Sequence, residues 1–90
     1  MAEIEEIKFM LAQSRVEDAV SSLNELIASN QDDDQAHYLL GNAYARLGDW
    51  GKALTSYCRA MEINPDSPAA EAYRQAQQIL DFYCHDLYNP

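Results

Sequence analysis

The sequence predicts an all-α fold in which antiparallel helical hairpins stack side by side, and three observations support this. Apolar residues recur at helical spacing in successive segments, which indicates helices that each bury one face. Small, bulky and helix-ending residues recur with a period of about 34 residues, a length typical of a helical-hairpin repeat. Glycine, proline and acidic residues stand between the segments, as expected for short connections.

The first predicted hairpin covers residues 1–33. Its first helix runs over about residues 2–13, with an apolar stripe formed by Ile4, Ile7, Met10 and Leu11. Ser14 and Glu17 have the spacing of a capping box, so we expect Ser14 to cap the second helix. That helix ends near Asn30 after an apolar stripe of Val16, Ala19, Val20, Leu23, Leu26 and Ile27.

The second predicted hairpin covers residues 34–67. The acidic run 32–34 predicts a capped turn before its first helix, because a calcium loop would spread its oxygen ligands over a longer segment. Gly48 can adopt the left-handed conformation that closes a helix, and Asp49 can accept the first amides of the next. The following helix ends before Pro65, which lacks an amide donor.

A single closing helix is predicted for residues 68–90. Ser67 caps it, and Pro68 occupies the position where a helix best tolerates proline. Its apolar stripe consists of Ala70, Tyr73, Ala76, Ile79, Leu80, Tyr83 and Leu87. A register shifted by two residues would place Tyr73 at the position of His37, and both registers stay open. The 90 residues therefore predict one domain of five helices, two hairpins and a C-terminal capping helix.

Seven residues of the second hairpin match a known signature. Counted from Asp34, they are Leu40, Gly41, Tyr44, Ala53, Tyr57, Ala60 and Pro65. Residues 34–67 thus resemble a tetratricopeptide repeat, except that His37 stands where the family prefers Trp. Residues 1–33 resemble a second repeat, because Ala19, Ser22, Asn30 and Asp32 recur one period later as Ala53, Ser56, Asn64 and Asp66. This repeat is divergent, since Ile7 occupies the position of Gly41. The resemblance implies a short right-handed α-solenoid, in which Gly41 and Ala53 let the helices of a hairpin approach closely.

The charge and cysteine content exclude several classes of function. A net charge of −9 disfavours nucleic acid, because it repels phosphate groups. No apolar run approaches the ~20 residues that span a bilayer. The N-terminus is acidic, unlike a secretion signal. We therefore expect an acidic cytoplasmic protein without a membrane partner. Cys58 and Cys84 lie on predicted apolar faces, which predicts reduced core thiols.

No residue pattern predicts catalysis. Cys84 and His85 are adjacent, and adjacent helical residues do not face each other as a nucleophile and its base must. The cysteines and histidines also lack the spacing of zinc ligands, and the chain has no glycine-rich phosphate loop. We therefore expect no enzyme activity, no metal and no cofactor.

Stacked repeats of this kind leave a concave groove lined by the first helix of each hairpin. The residues predicted to line it are Lys8, Gln35, Tyr38, Asn42 and Arg46. Lys8 stands at the position equivalent to Asn42, so both can contact one ligand. Asn42 can donate and accept hydrogen bonds, and Arg46 can donate to an anionic group. The expected function is a scaffold that binds a peptide or a protein surface.

The sequence disfavours one alternative partner and leaves another open. Some relatives bind the C-terminal carboxylate of chaperones through lysines, asparagines and an arginine from three repeats. Here only Asn42 stands at a clamp asparagine and the third repeat is incomplete, so that ligand is not expected. The alternative function is structural self-assembly, as a homodimer formed through the aromatic C-terminal helix by Phe82, Tyr83 and Tyr88.

Overall fold

A computed structural model describes the backbone of residues 4–88 and the side chains of residues 4–80. The described chain forms five α-helices, namely α1 (Ile4–Ala12), α2 (Val16–Ser29), α3 (Asp34–Arg46), α4 (Trp50–Ile63) and α5 (Ala69–Tyr88). Between residues 4 and 88 there is no β-strand. None of the described helices is long and apolar enough to cross a membrane. The predicted all-α fold of five helices is confirmed.

Each helix packs against the next, and α3 also packs against α1. The core falls into two clusters. The first joins α1, α2 and α3 through Ile7, Leu11, Ala19, Leu23, Ala36, Leu39, Leu40 and Ala43. The second joins α4 and α5 through Ala53, Tyr57, Ala60, Ala69 and Ala76. The half-buried Tyr38 and Tyr44 of α3 pack against both clusters, so α3 connects the two hairpins.

The turn between α1 and α2 differs from the predicted capping box. Ser14 has a φ of 65°, in the left-handed region, and the residue before α2 is Arg15, whose side chain makes no capping hydrogen bond. The Ser14 amide donates to the carbonyl of Leu11 at 3.0 Å, and the Arg15 amide donates to that of Met10 at 2.9 Å. These two bonds form a Schellman motif, so Ser14 closes α1 instead of capping α2.

The turn between α3 and α4 has the same geometry. Gly48, with a φ of 80°, donates to the Ala45 carbonyl at 3.0 Å, and Asp49 donates to the Tyr44 carbonyl at 2.9 Å. The Asp49 side chain then caps α4, as predicted. Ser14 lies one repeat period before Gly48, so the repeat places a serine where a glycine fits best. The equivalence between repeats therefore locates this turn better than the capping-box spacing does.

The connections from α2 to α3 and from α4 to α5 are also equivalent. Asn30 and Asn64 each accept a hydrogen bond from the amide two residues later, at 3.3 and 3.1 Å. The next cap is Asp33 for α3 and Ser67 for α5, and each side chain accepts a backbone amide of its helix. The predicted acidic turn and the predicted Ser67 cap are confirmed. The connections thus repeat the same polar contacts, which fixes where each new helix begins.

Gly41 leaves room for the ring of Tyr57, which is 3% exposed. A Cβ atom at Gly41 would overlap Cδ1 and Cε1 of Tyr57 and would lie 3.0 Å from its Cζ. The space at Gly41 is therefore filled by an aromatic ring rather than by a close approach of two backbones. A small residue is needed at Gly41, as the repeat signature predicts, but what it makes room for is the side chain of Tyr57 and not the backbone of α4.

The first hairpin fills the equivalent space with residues of intermediate size. Ile7 and Leu23 lie one repeat period before Gly41 and Tyr57, respectively. Both are fully buried in the first cluster, and they are its largest fully buried side chains. Two side chains of medium size, Ile7 and Leu23, thus occupy the positions that glycine and tyrosine occupy in the second hairpin. Ile7 is therefore a compensated substitution, which explains why the first repeat matches the signature weakly and still packs.

The burial of α5 decides between the two registers left open by the sequence. Its buried and half-buried side chains before residue 81 are Ala69, Ala72, Tyr73, Ala76, Ile79 and Leu80, whereas Ala70 is exposed. With the shift of two residues, Tyr73 and Ala76 are equivalent to His37 and Leu40, which are buried in α3. The burial pattern therefore follows the shifted register, and Ala70 does not belong to the buried stripe.

Gly41→Ala is expected to lower the free energy of unfolding by about 2 kcal/mol, because the added methyl group overpacks the Tyr57 ring. In a Tyr57→Leu background the ring is absent, so the same change should be neutral or stabilising through the helix propensity of alanine. Urea denaturation of the four proteins of this double-mutant cycle measures the coupling. Equal costs in both backgrounds would contradict the packing described.

Ser14→Gly is expected to raise the free energy of unfolding by about 0.5 kcal/mol. Glycine adopts the left-handed backbone conformation without the steric cost that serine has, and this gain is partly offset because glycine loses more conformational entropy on folding. Gly48→Ala should lower it by about 1 kcal/mol. No atom lies within 4 Å of a Cβ built at Gly48, so this loss reports backbone conformation alone. Thermal unfolding followed by circular dichroism measures both. A Ser14→Ala variant as stable as Ser14→Gly would show that residue 14 carries no such strain.

Candidate functional site

The candidate site is the face of α1 and α3 that carries the five predicted groove residues, called here the groove face. Lys8, Gln35 and Arg46 lie towards its solvent side, and Tyr38 and Asn42 are half-buried. None of the five belongs to the buried core. Each therefore has surface that a ligand can contact, but Lys8, Tyr38, Asn42 and Arg46 also make contacts within the chain.

Tyr57 of α4 brings Tyr38 and Asn42 together. Its hydroxyl group donates a hydrogen bond to Oδ1 of Asn42 at 2.5 Å. Its ring packs against that of Tyr38, with centroids 6.0 Å apart and planes tilted by 42°. Because an α-helix turns once every ~3.6 residues, Tyr38 and Asn42 lie one turn apart on the same side of α3. One buried tyrosine therefore supports both residues of the groove face from below.

The neutral state of the Tyr57 hydroxyl group favours this hydrogen bond. Burial, and secondarily the neighbouring Tyr38, raises the pKa of the Tyr57 hydroxyl from 10.0 to about 12. The group is therefore neutral at ordinary pH and donates its proton to Oδ1 of Asn42. Nδ2 of Asn42 has no hydrogen-bond partner among the described side chains. The arrangement directs the acceptor of Asn42 inward and leaves its two donors for a ligand.

Arg46 has a structural contact that the sequence did not indicate. Its Nη1 atom donates a hydrogen bond to the carbonyl oxygen of Leu11, in the last turn of α1. A cation near the C-terminus of a helix also interacts favourably with its dipole. Arg46 thus joins the end of α1 to the end of α3 and holds the first hairpin against the second.

Lys8 and Gln35 are not drawn into the group around Tyr57. Nζ of Lys8 lies 3.5 Å from Oε1 of Glu5, but both side chains are exposed, so this ion pair contributes little. Gln35 makes no side-chain hydrogen bond within the described part of the chain. The structure therefore unites Tyr38 and Asn42 and leaves Lys8 and Gln35 as separate surface groups.

The prediction that Cys58 is a core thiol is wrong, because Cys58 is exposed. The buried stripe of α4 passes through its neighbour Tyr57, and Sγ of Cys58 lies 3.7 Å from Oε1 of Glu62 on the outer side.

The side chains after residue 80 lie outside the described residues, which leaves untested the predictions for Phe82, Tyr83, Cys84, His85 and Tyr88.

His37 is a packing residue, as its place in the repeat indicates. It is 9% exposed, and its Nε2 atom lies 3.1 Å from the carbonyl oxygen of Gln31. A carbonyl only accepts, so Nε2 carries the proton in this bond. Within the described residues, no three His, Cys, Asp or Glu side chains are grouped so that they could hold a metal ion.

The sequence identified Tyr57 only as one of the seven signature residues and gave no role to its hydroxyl group. The available signal was the residue type, because a buried tyrosine usually finds a partner for its O–H group. The identity of that partner depends on how α3 and α4 are rotated against each other, which the spacing alone does not give. Tyr57 is therefore the supporting residue that the structure adds to the site.

Tyr57→Phe is expected to lower the free energy of unfolding at neutral pH by about 1 kcal/mol, through the lost hydrogen bond to Asn42. In the original protein the raised pKa of Tyr57 stabilises the fold fully below pH 10.0, its ordinary pKa, and this contribution is lost as the pH rises towards about 12.

Urea denaturation is measured at several pH values between the ordinary and the raised pKa of Tyr57, a span of about two pH units. The free energy of unfolding should fall less over this span in Tyr57→Phe than in the original protein. Tyr73→Phe is the matched control, since it removes the hydroxyl group of a half-buried tyrosine and leaves Tyr57 unchanged. The same profile in all three proteins would contradict the role given to Tyr57.

Comparison with known proteins agrees with the helical-repeat fold. A family model described as Tetratricopeptide repeat matches residues 11–68. The solution NMR structure of the Bacteroides fragilis protein BF1650 matches with a TM-score of 0.86 and 44% sequence identity, over 99% of this chain and 91% of that chain. No curated protein matches the chain. The family match covers more than half of the chain, with residues of both hairpins, and the chain therefore belongs to the tetratricopeptide repeat family.

Proposed function

We propose that the chain is a protein-interaction module that binds an extended segment of a partner protein on its groove face. Repeats of this family are generally interaction modules without catalytic activity, which supports the general class of function. The observation that carries the specific proposal is the hydrogen bond from Tyr57 to Asn42. This hydrogen bond holds the side chain of Asn42 so that its two amide donors face the accessible side of α3.

The donors of the groove face favour a ligand rich in hydrogen-bond acceptors. Asn42 uses its acceptor internally, and its amide group can donate to a peptide carbonyl or carboxylate. Lys8, at the equivalent position of α1, supplies only donors. Tyr38 offers an aromatic surface beside them, held by its packing on Tyr57. An extended peptide backbone with an apolar side chain next to Asn42 satisfies all three.

Arg46 serves this surface mainly by positioning. Its hydrogen bond to Leu11 fixes the end of α1 relative to α3, and hence Lys8 relative to Asn42. Substituting Arg46 would therefore disturb the packing of the hairpins as well as any contact with a ligand. For this reason Asn42 is the better residue for a test of binding.

Asn42→Asp is the sharpest variant, because an aspartate keeps the acceptor for the Tyr57 hydroxyl group and replaces the two donors with a second acceptor. We expect it to reduce binding by about tenfold, the loss of one buried hydrogen bond together with charge repulsion. The tagged protein captures partners from cell extract, mass spectrometry identifies them, and calorimetry with the purified partner measures the affinity.

Asn24→Asp is the matched control, since it makes the same change of charge at an exposed position of α2. It should retain the partner, and both variants should show the circular dichroism of the original fold. A partner bound equally well by Asn42→Asp and the original protein would show that Asn42 does not contact it.

A further inference from the structure

A second surface lies at the N-terminal end of the array, on the outer side of α1. Glu5, Glu6, Phe9, Met10 and Arg15 line a shallow cleft there, called here the end face. Phe9 is 62% exposed, more than any other large hydrophobic side chain that the structure describes. Phe9 and the stem of Met10 give this cleft an apolar centre that another molecule can cover.

The repeat equivalence shows what kind of element fits the end face. Phe9 lies one repeat period before Ala43, and Glu5 and Glu6 lie one period before Leu39 and Leu40. Those three residues of α3 are buried in the first core cluster, against the helices of the first hairpin. The same three positions of α1 are exposed. The end face is therefore shaped to pack against helices.

The residues of the end face differ in charge and size from their equivalents in α3. Carboxylates replace the two leucines, so an approaching helix must carry positive charges to avoid burying unpaired anions. Glu5 has only an exposed ion pair with Lys8, at 3.5 Å, which a stronger partner can displace. Phenylalanine replaces Ala43, so the helix needs small or apolar residues opposite Phe9.

Arg15 is the one basic side chain among the described residues that line the cleft, and it does not neutralise the carboxylates of Glu5 and Glu6. Arg15 is engaged with Asp18, with Nη2 and Nε each 3.1 Å from Oδ2. A second copy of this chain is a poor occupant, because each copy has a net charge of −9 and would present the same carboxylates to its partner. The charge of the end face therefore selects a basic partner of different sequence.

We propose that the end face binds a basic amphipathic helix of a partner protein, with Phe9 as the apolar anchor. Glu5 and Glu6 pair with lysine or arginine residues that flank the apolar stripe of that helix. Docked in this way, the partner covers α1 as the first hairpin covers α3. The site is separate from the groove face, and its occupant is helical rather than extended.

A synthetic helical peptide tests this with the full-length chain. The probe has about three heptads with leucine and alanine on one face and lysine elsewhere, and a second probe has glutamate in place of lysine. Fluorescence anisotropy measures both affinities. We expect the lysine peptide to bind and the glutamate peptide not to bind. Phe9→Ser should weaken binding by about tenfold, and the pair Glu5→Gln and Glu6→Gln by about fivefold.

Matched controls separate a specific site from general attraction to an acidic protein. Leu47→Ser removes another exposed hydrophobic residue, 49% exposed in the α3–α4 turn. The pair Glu62→Gln and Glu71→Gln removes the same charge from α4 and α5. Both controls should change the affinity by less than about twofold. Equal losses in the controls, binding of the glutamate peptide, or no binding of the lysine peptide would overturn the proposal.

Two further outcomes identify a different occupant. If Asn42→Asp abolishes binding of the helical peptide and Phe9→Ser does not, the peptide lies on the groove face and the end-face proposal is wrong. If sedimentation shows a dimer that Phe9→Ser dissociates, a second copy covers the end face and the proposal is equally wrong. Failure of the end face leaves the groove face untouched, because the two tests use different residues.

Discussion

The side chain of Tyr57 connects the core of the second hairpin to its groove face. Its ring occupies the space left by Gly41, so the distance between α3 and α4 depends on this one glycine. The same ring supports Tyr38, and its hydroxyl group orients Asn42. A methyl group added at Gly41 would therefore displace the ring and move two surface residues. The packing of α3 against α4 and the positions of Tyr38 and Asn42 thus depend on the same contact.

The two hairpins show that the repeat keeps the geometry of a contact and lets its residues change. Ile7 with Leu23 fills the space that Gly41 and Tyr57 fill in the second hairpin. The exchange has a consequence for the surface, because leucine has no hydroxyl group. The first hairpin therefore cannot orient a polar residue at Lys8 as Tyr57 orients Asn42. A long flexible cation at that position needs no such support.

The sequence predicted the number and order of the helices because periodicity and terminating residues are local properties. It predicted that α4 ends before Pro65, and it predicted the caps Asp49 and Ser67. It failed at Ser14, where two local rules competed: a capping box favoured one role and the equivalence with Gly48 favoured another. The second rule prevailed because the Schellman bonds satisfy carbonyls that end α1.

The contacts of the groove face were less predictable, because they depend on how one helix is rotated against another. The residue type of Arg46 indicated a donor, but its acceptor is a carbonyl that lies 35 residues earlier in the chain. The apolar character of Cys58 favoured the core, yet a difference of one position from Tyr57 puts it on the outside of α4. Side-chain spacing gives the face of a helix only to within about one residue, or about 100°.

Both proposed surfaces involve α1, which is the shortest of the five helices. Lys8 and Phe9 are adjacent, so their side chains diverge by about 100° and serve different faces. Only Ile7 and Leu11 anchor the described α1 as buried residues, and the bond from Arg46 to Leu11 adds a polar link. A helix with so few anchors gains more from an external partner than one in the middle of the array does. A helix docked on Phe9 would add packing contacts to a helix that has few buried residues of its own.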